Sequence, residues 1–142
     1  MPQSIVGWLS LIIFTELLVA CESFTKVVEL NDTEWELISL NGQSPIEGTS
    51  ITLRFDESKL SGLAGCNTYT AEYETTEAGE IIIPEVARTT EDCETPEGIM
   101  EQEGSYLEML WTGAGYEVTN GKLEIRNEEG ETTVIFGRKQ GA

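Results

Sequence analysis

Three cysteines and an excess of carboxylates are the side chains of this chain that could do chemistry. The cysteines are Cys21, Cys66 and Cys93, and 26 Asp and Glu residues stand against 8 Lys and Arg residues in a chain of 142. Acid–base or glycosidase chemistry needs two carboxylates at a set distance in one cleft. Here the carboxylates are scattered over turns and solvent-facing positions, so we expect no enzyme activity.

Metal and nucleic-acid chemistry are also poorly supported. The chain has no histidine, which excludes histidine-based triads and histidine-ligated metals. Two cysteines do not complete a zinc site, and the acidic loops at 56–57 and 127–129 lack the ligand spacing of an EF-hand. A net charge of −18 repels phosphate backbones and anionic headgroups. We expect no metal, no cofactor and no nucleic-acid partner.

An apolar segment near the start of the chain is followed directly by Cys21. Residues 5–20 are shorter than the roughly 20 residues that span a bilayer. Residues 18–21 read Leu-Val-Ala-Cys, which resembles the lipobox of bacterial lipoproteins. The resemblance implies a signal peptide over 1–20, a diacylglycerol on Cys21 and a tether over 21–30. An ordinary secretory signal and an uncleaved helix that packs on the domain are the alternatives.

An exported lipoprotein would lie in the cell envelope, anchored on the periplasmic side, and the signal is compatible with either the inner or the outer membrane. If Cys21 carries lipid, Cys66 and Cys93 remain as an even pair in an oxidising compartment. A bond between them would close a loop of about 28 residues and stabilise the domain by about 3–4 kcal/mol. The alternative is two small buried thiols that never pair.

The chain after the tether is dominated by strand patterns. Ile51, Leu53 and Phe55 alternate with polar residues, which predicts a strand with one buried face. Asn120-Gly121 lies between two alternating segments and is a strong hairpin signal. The other predicted strands, some of them less regular, cover residues 35–40, 59–65, 66–74, 81–83, 116–118, 123–125 and 132–136. The glycine-bearing strand at 59–65 is expected to be bulged.

One helix is predicted between the two groups of strands. Thr95 suits the N-cap and Pro96 the first helical position. A stripe at helical spacing follows, and Gly113 and Gly115 end the helix. The members of that stripe are Ile99, Met100, Tyr106, Leu107 and Leu110. Strands, one helix and more strands predict an α+β domain, with a curved antiparallel sheet or open barrel and the helix packed against it.

Four short motifs in this order resemble those of one family. They are the strand-opening Trp35, the segment Gly65-Cys66-Asn67-Thr68-Tyr69, the segment 87–93 with Thr89 and Cys93, and the helix segment 100–103 with Glu101. The chain is similar in these motifs to the META domain family, also called HslJ-like, over residues 31–138. The family fold agrees with the α+β prediction. On residue chemistry alone, we interpret the 65–69 motif as a structural latch that joins the Cys66 strand to the Cys93 turn, because Asn ties loops through its amide.

The resemblance implies a non-enzymatic envelope protein connected with stress responses. Such a domain would bind an envelope protein partner or support envelope integrity. The alternative is a small hydrophobic ligand bound inside the curved sheet. An open apolar cavity of several hundred Å³ would favour the ligand, whereas a filled core with an exposed apolar patch would favour the protein partner.

Overall fold

The computed structural model describes residues 29–140, so the predicted signal peptide and Cys21 lie outside the described residues. The elements in chain order are β1 (Thr33–Leu40), β2 (Thr52–Asp56), β3 (Lys59–Leu63), β4 (Thr68–Glu72), β5 (Glu74–Thr75), β6 (Ile81–Ile82), β7 (Val86–Arg88), α1 (Ile99–Trp111), β8 (Gly115–Thr119), β9 (Lys122–Arg126) and β10 (Thr132–Arg138). Within 29–140, no helix has the length and apolar character needed to cross a membrane.

Eight of these strands form one antiparallel sheet in the order β7-β4-β3-β2-β1-β10-β9-β8. The sheet is not closed, and α1 packs against it, so the predicted α+β class is confirmed. The first and last strands lie side by side at the centre, where Trp35 pairs with Arg138. The pairing register shifts within β1, where β1 pairs with β10, and within β10, where β10 pairs with β9. The predicted bulge in β3 is wrong, because β3 pairs with β4 without a shift.

Glycine is required at one position of β3 because two strands approach closely there. A Cβ atom on Gly62 would lie 1.9 Å from the Thr52 carbonyl oxygen. That carbonyl belongs to the backbone and cannot move aside as a flexible side chain would. The glycine that suggested a bulge is therefore explained by strand packing instead.

A short hairpin, β5–β6, attaches to the sheet edge formed by β8. The Ile81 N–H donates to the Ala114 carbonyl at 3.0 Å, and the Tyr116 N–H donates to the Gly79 carbonyl at 2.8 Å. Ile81 is buried, whereas Ile82 on the other face is half exposed. The predicted strand therefore has one buried face and one solvent face.

Aromatic side chains fill the space between the sheet and α1. The Tyr106 ring lies edge-on to Tyr69 and Phe136, with centroids 5.6 Å and 6.1 Å away. The largest side chains that are less than 2% exposed are Trp35, Tyr69, Tyr106, Phe55, Phe136, Ile51, Leu53, Leu60, Ile81, Leu110, Leu123 and Ile125. The space between the sheet and α1 is thus a packed core.

The ends of two predicted segments differ from the structure. The helix begins at Ile99, and its N-cap is Gly98, which has a φ of 84° and no side-chain cap bond. A residue in the left-handed region cannot continue a helix, so Thr95 and Pro96 lie outside it. Leu30, placed in the tether by sequence, is 3% exposed and packs in the core. The folded unit therefore includes Leu30.

Candidate functional site

The buried carboxylate of Glu103 is the centre of a polar cluster beneath β7. The side chain is 1% exposed because helical spacing places Glu103 on the same stripe as the buried Tyr106 and Leu110. Its Oε2 accepts the backbone N–H groups of Cys66 at 3.1 Å and Asn67 at 2.7 Å. Its Oε1 accepts the Asn67 side-chain amide at 2.6 Å and Arg88 at 3.0 Å. The carboxylate is thus both paired and hydrogen-bonded, as a buried charge requires.

Asn67 continues this cluster to the segment after β7. Its Oδ1 accepts the Thr89 hydroxyl at 2.8 Å and the Glu91 N–H at 2.7 Å. Its Nδ2 also donates to the Glu91 carbonyl at 2.9 Å. A fully buried asparagine therefore fixes the backbone of residues 89–91, as the latch interpretation predicts. We call Asn67, Arg88, Thr89, Glu91 and Glu103 the Glu103 cluster.

A disulfide joins Cys66 to Cys93 beside this cluster. The two Cα atoms are 5.9 Å apart, within the usual range for a disulfide. The predicted pairing is confirmed. The bond holds the segment before α1 to the start of β4, and the alternative of two unpaired thiols is excluded.

The structure brings some of the family-motif residues together and separates others. Gly65, with a φ of 110°, turns the chain into Cys66 and Asn67, and Thr89 and Cys93 face them across the latch. Trp35 lies elsewhere in the core, where its indole N–H donates to Thr33 at 2.8 Å and Arg138 lies over its ring. Glu101 is exposed on α1.

The tyrosine of the motif belongs to a buried hydroxyl pair. The Tyr69 and Tyr106 hydroxyls are 2.5 Å apart, and the Tyr69 hydroxyl also donates to the Thr52 carbonyl at 2.7 Å. Burial raises the pKa of both tyrosines, to well above the ordinary value for Tyr106. Both therefore remain neutral at physiological pH and serve packing.

A groove lies on the other side of Arg88, between β7 and the C-terminal half of α1. It has a volume of about 350 Å³ and is lined by Pro84, Glu85, Val86, Arg88, Leu107, Glu108 and Trp111. We call it the Trp111 groove. Trp111 is 56% exposed, and its indole N–H donates to the Pro84 carbonyl at 3.1 Å, which fixes the ring. An oriented, exposed tryptophan in a groove is typical of a binding anchor.

The strand that borders this groove is an edge of the sheet. Among the described residues, β7 pairs only with β4. The Thr89 N–H points to β4, where it donates to the Thr68 carbonyl at 3.0 Å. Alternate residues of an antiparallel strand turn their backbone groups to opposite sides. The N–H and C=O groups of Val86 and Arg88 therefore point away from β4, on the unpaired edge of β7.

The sequence assigned no role to Arg88, Glu103 or Trp111, the residues that build this region, although the motif segments 87–93 and 100–103 contain the first two. Glu103 left a detectable signal, since it falls four residues after Ile99 and three before Tyr106 on the apolar stripe. Trp111 lies one residue beyond that stripe at the end of the helix. In residues 29–140, no group of three or more Cys, Asp or Glu side chains could hold a metal ion.

The comparisons with known proteins point to one family. A model of the META domain matches residues 28–140. An NMR structure from Burkholderia xenovorans is 26% identical, with a TM-score of 0.60, over 79% of this chain and 85% of that chain. A second NMR structure is 24% identical, with a TM-score of 0.61, over 76% of this chain and 90% of that chain.

A more distant structure shares the fold. It is a crystal structure of a DUF4847 family protein from Bacteroides vulgatus, 11% identical, with a TM-score of 0.56, over 80% of this chain and 96% of that chain. The comparison with curated proteins gives no match to this chain. The solved structures therefore establish the fold, and their descriptions carry no activity.

Proposed function

Because this chain belongs to the META domain family, we propose that it is a non-enzymatic envelope lipoprotein whose domain binds a protein partner at the Trp111 groove. The observation that carries this proposal is the exposed Trp111 ring beside the unpaired edge of β7. A strand edge offers main-chain hydrogen bonds, and the groove offers a pocket for a side chain. Together these are the elements of peptide recognition by strand addition.

The charges around the groove favour a basic partner segment. Glu85 and Glu108 line the groove and are exposed, and Glu91, Asp92 and Glu94 follow β7 along the chain. The single cation of the groove, Arg88, is already paired with the buried Glu103 at 3.0 Å. The remaining field is negative, so it would attract an extended segment that carries lysine or arginine beside an apolar residue.

The Glu103 cluster gives this surface its rigidity. Glu103 holds Arg88 within β7, and Asn67 holds residues 89–91 immediately after it. A binding edge that is fixed before the partner arrives loses less conformational entropy on association. Asn67 and Thr89 of the family motifs would then act as positioning residues for the groove, without touching the partner.

The alternative function, a small hydrophobic ligand inside the sheet, has less support. The interior is filled by large aromatic side chains such as Trp35, Tyr69 and Phe136. The Trp111 groove lies outside this core, on the surface. A filled core with an exposed apolar patch is the arrangement that favours the protein partner.

A designed peptide tests the groove directly. We expect the acetylated peptide Lys-Val-Lys-Val-Lys-Val to bind the protein and to shift the backbone amide signals of residues 86–88 and the indole signal of Trp111. Trp111→Ala should weaken binding by about 2 kcal/mol or more, which is about thirty-fold in Kd, because anchor aromatics dominate such contacts. The measurement is an NMR titration of the 15N-labelled protein.

Two controls distinguish specific binding at the groove from nonspecific binding of the peptide. Ile38→Ala removes another exposed apolar side chain, 44% exposed on β1, and should leave the Kd unchanged. The acidic peptide Glu-Val-Glu-Val-Glu-Val should not bind, since the groove is negative. Equal losses in Trp111→Ala and Ile38→Ala, or shifts confined to β8, would contradict the proposal.

The membrane anchor is a separate part of the proposal. The lipobox-like residues 18–21 support lipidation at Cys21, and two lipid chains are enough for stable anchoring. Cys21→Ser should therefore move the protein from the membrane fraction to the soluble exported fraction, as measured by fractionation and immunoblotting. A mature protein that retains residues 1–20, detected by mass spectrometry, would contradict lipidation.

A further inference from the structure

A second cavity lies far from the Trp111 groove in sequence, beside the β2–β3 turn and the start of the folded domain. Its volume is about 460 Å³, and it is lined by Glu29, Leu30, Asn31, Glu57, Ser58, Tyr73, Thr75 and Tyr116. We call it the tyrosine pocket. The lining includes no lysine and no arginine. Its chemistry is therefore that of two aromatic rings, two carboxylates and several small polar groups.

The two tyrosines of this pocket differ from the buried pair in the core. Tyr73 and Tyr116 are each 8% exposed, yet neither hydroxyl has a hydrogen-bond partner among residues 29–140. In that same part of the chain, every fully buried side-chain oxygen or nitrogen has a partner. The two hydroxyl oxygens are therefore not fully enclosed by the protein. Two nearly buried tyrosines thus line the pocket, with hydroxyls that the described residues leave without a partner.

The rings themselves are held in place. The Tyr73 ring packs edge-on against Phe55, with centroids 4.8 Å apart. The Asn31 side chain fixes the rim by accepting the Glu57 N–H at 2.5 Å. The backbone of Tyr116 is held by its N–H, which donates to the Gly79 carbonyl at 2.8 Å. The pocket walls are therefore ordered before any ligand enters.

The electrostatic surroundings are negative. Burial raises the pKa of Tyr73, and Tyr116, Glu29 and Asp56 raise it further. Glu29 and Glu57 are exposed at the rim of the pocket, and no cation lines it to offset them. The π face of a desolvated ring attracts an organic cation, and the neighbouring carboxylates attract it through their negative charge.

We propose that the tyrosine pocket binds an organic ammonium group, with the Tyr73 and Tyr116 rings against its alkyl surface and the Glu29 and Glu57 carboxylates balancing its charge. The free hydroxyls can accept hydrogen bonds from a primary ammonium. The same group occurs in free amines and in the headgroup of phosphatidylethanolamine, so the chemistry is shared between these two sources.

An NMR titration of the full chain tests the pocket with tetramethylammonium chloride as the probe and sodium chloride at equal concentration as the reference. We expect saturable shifts at Glu57, Ser58, Tyr73, Thr75 and Tyr116 with the probe alone. Tyr73→Leu should weaken binding about ten-fold, whereas Tyr73→Phe, which keeps the ring, should change it less than three-fold.

A charge-matched pair of variants guards against nonspecific attraction. Glu57→Gln should weaken binding about three-fold or more, while Glu128→Gln, in the exposed turn between β9 and β10, should have no effect. Equal losses in the two variants, or shifts that sodium chloride reproduces, would overturn the proposal. Retained binding in a folded Tyr73→Leu variant would overturn it as well.

Two further arms distinguish the sources. Ethylammonium chloride should reproduce the shifts of the probe if a free amine suffices. Vesicles that contain phosphatidylethanolamine, compared with vesicles of phosphatidylglycerol, should broaden the same signals if the headgroup enters the pocket. Either positive result supports the ammonium site, and failure of both would overturn it.

Discussion

Replacing Glu103 with alanine should lower the free energy of unfolding by about 3–5 kcal/mol, because the variant leaves several buried donors without an acceptor. The carboxylate accepts two backbone N–H groups, the Asn67 amide and the Arg88 guanidinium. Asn67 itself is fully buried, so water cannot replace the lost acceptor. Chemical denaturation followed by circular dichroism measures the change.

A neighbouring glutamate provides the matched control. Glu101 lies on the same helix but is exposed. Glu101→Ala should therefore change the free energy of unfolding by no more than about 0.5 kcal/mol. Glu103→Gln should fall between the two, because an amide keeps one acceptor but turns a donor towards the N–H groups of Cys66 and Asn67. A Glu103→Ala variant as stable as Glu101→Ala would show that the cluster does not contribute to stability.

Breaking the disulfide should have the second-largest effect. We expect the free energy of unfolding to fall by about 3–4 kcal/mol, because the unfolded chain is no longer restricted by the bond. Cys66 and Cys93 are 27 residues apart in sequence. Cys66→Ser and Cys93→Ser should therefore be equally destabilising, and the double variant should be no worse than either one, since all three lose the same bond. The measurement is again denaturant unfolding, under non-reducing conditions.

Reduction of the unmodified protein offers an independent check. In dithiothreitol its stability should fall to that of the double variant, whereas the double variant should not respond to reductant. Additive losses in the two single variants would indicate that each side chain contributes through its own packing. The bond would then contribute less than the loop length predicts.

Much of the sheet could be predicted because its signals are local. Ile51, Leu53 and Phe55 are each at most 1% exposed, as their alternation predicted. Asn120 and Gly121 have φ values of 53° and 73°, which suits the tight hairpin that the Asn-Gly pair predicts. These features depend on a few adjacent residues, so the amino-acid types determine them directly.

The candidate sites could not be predicted in the same way. Glu103 is buried only because Asn67 and Arg88, on other strands, supply its donors. Trp111 is exposed only because β7 ends the sheet beside it. The start of α1 was also missed, since Thr95 and Pro96 form a good capping signal while Gly98 takes the left-handed turn. Each of these features depends on contacts between distant segments.

The position of β10 has a consequence for how the domain comes into being. β1 lies at the centre of the sheet between β2 and β10, so the first strand to be synthesised needs the last one as a neighbour. Until residues 132–138 have emerged, the β8–β9 hairpin is not joined to β1 through β10, and the core lacks the fully buried side chains of Val134 and Phe136. Pairing across nearly the whole chain is slow to form. A growing or exported chain therefore completes its sheet only once β10 is available, and the central pairing becomes a late step of folding.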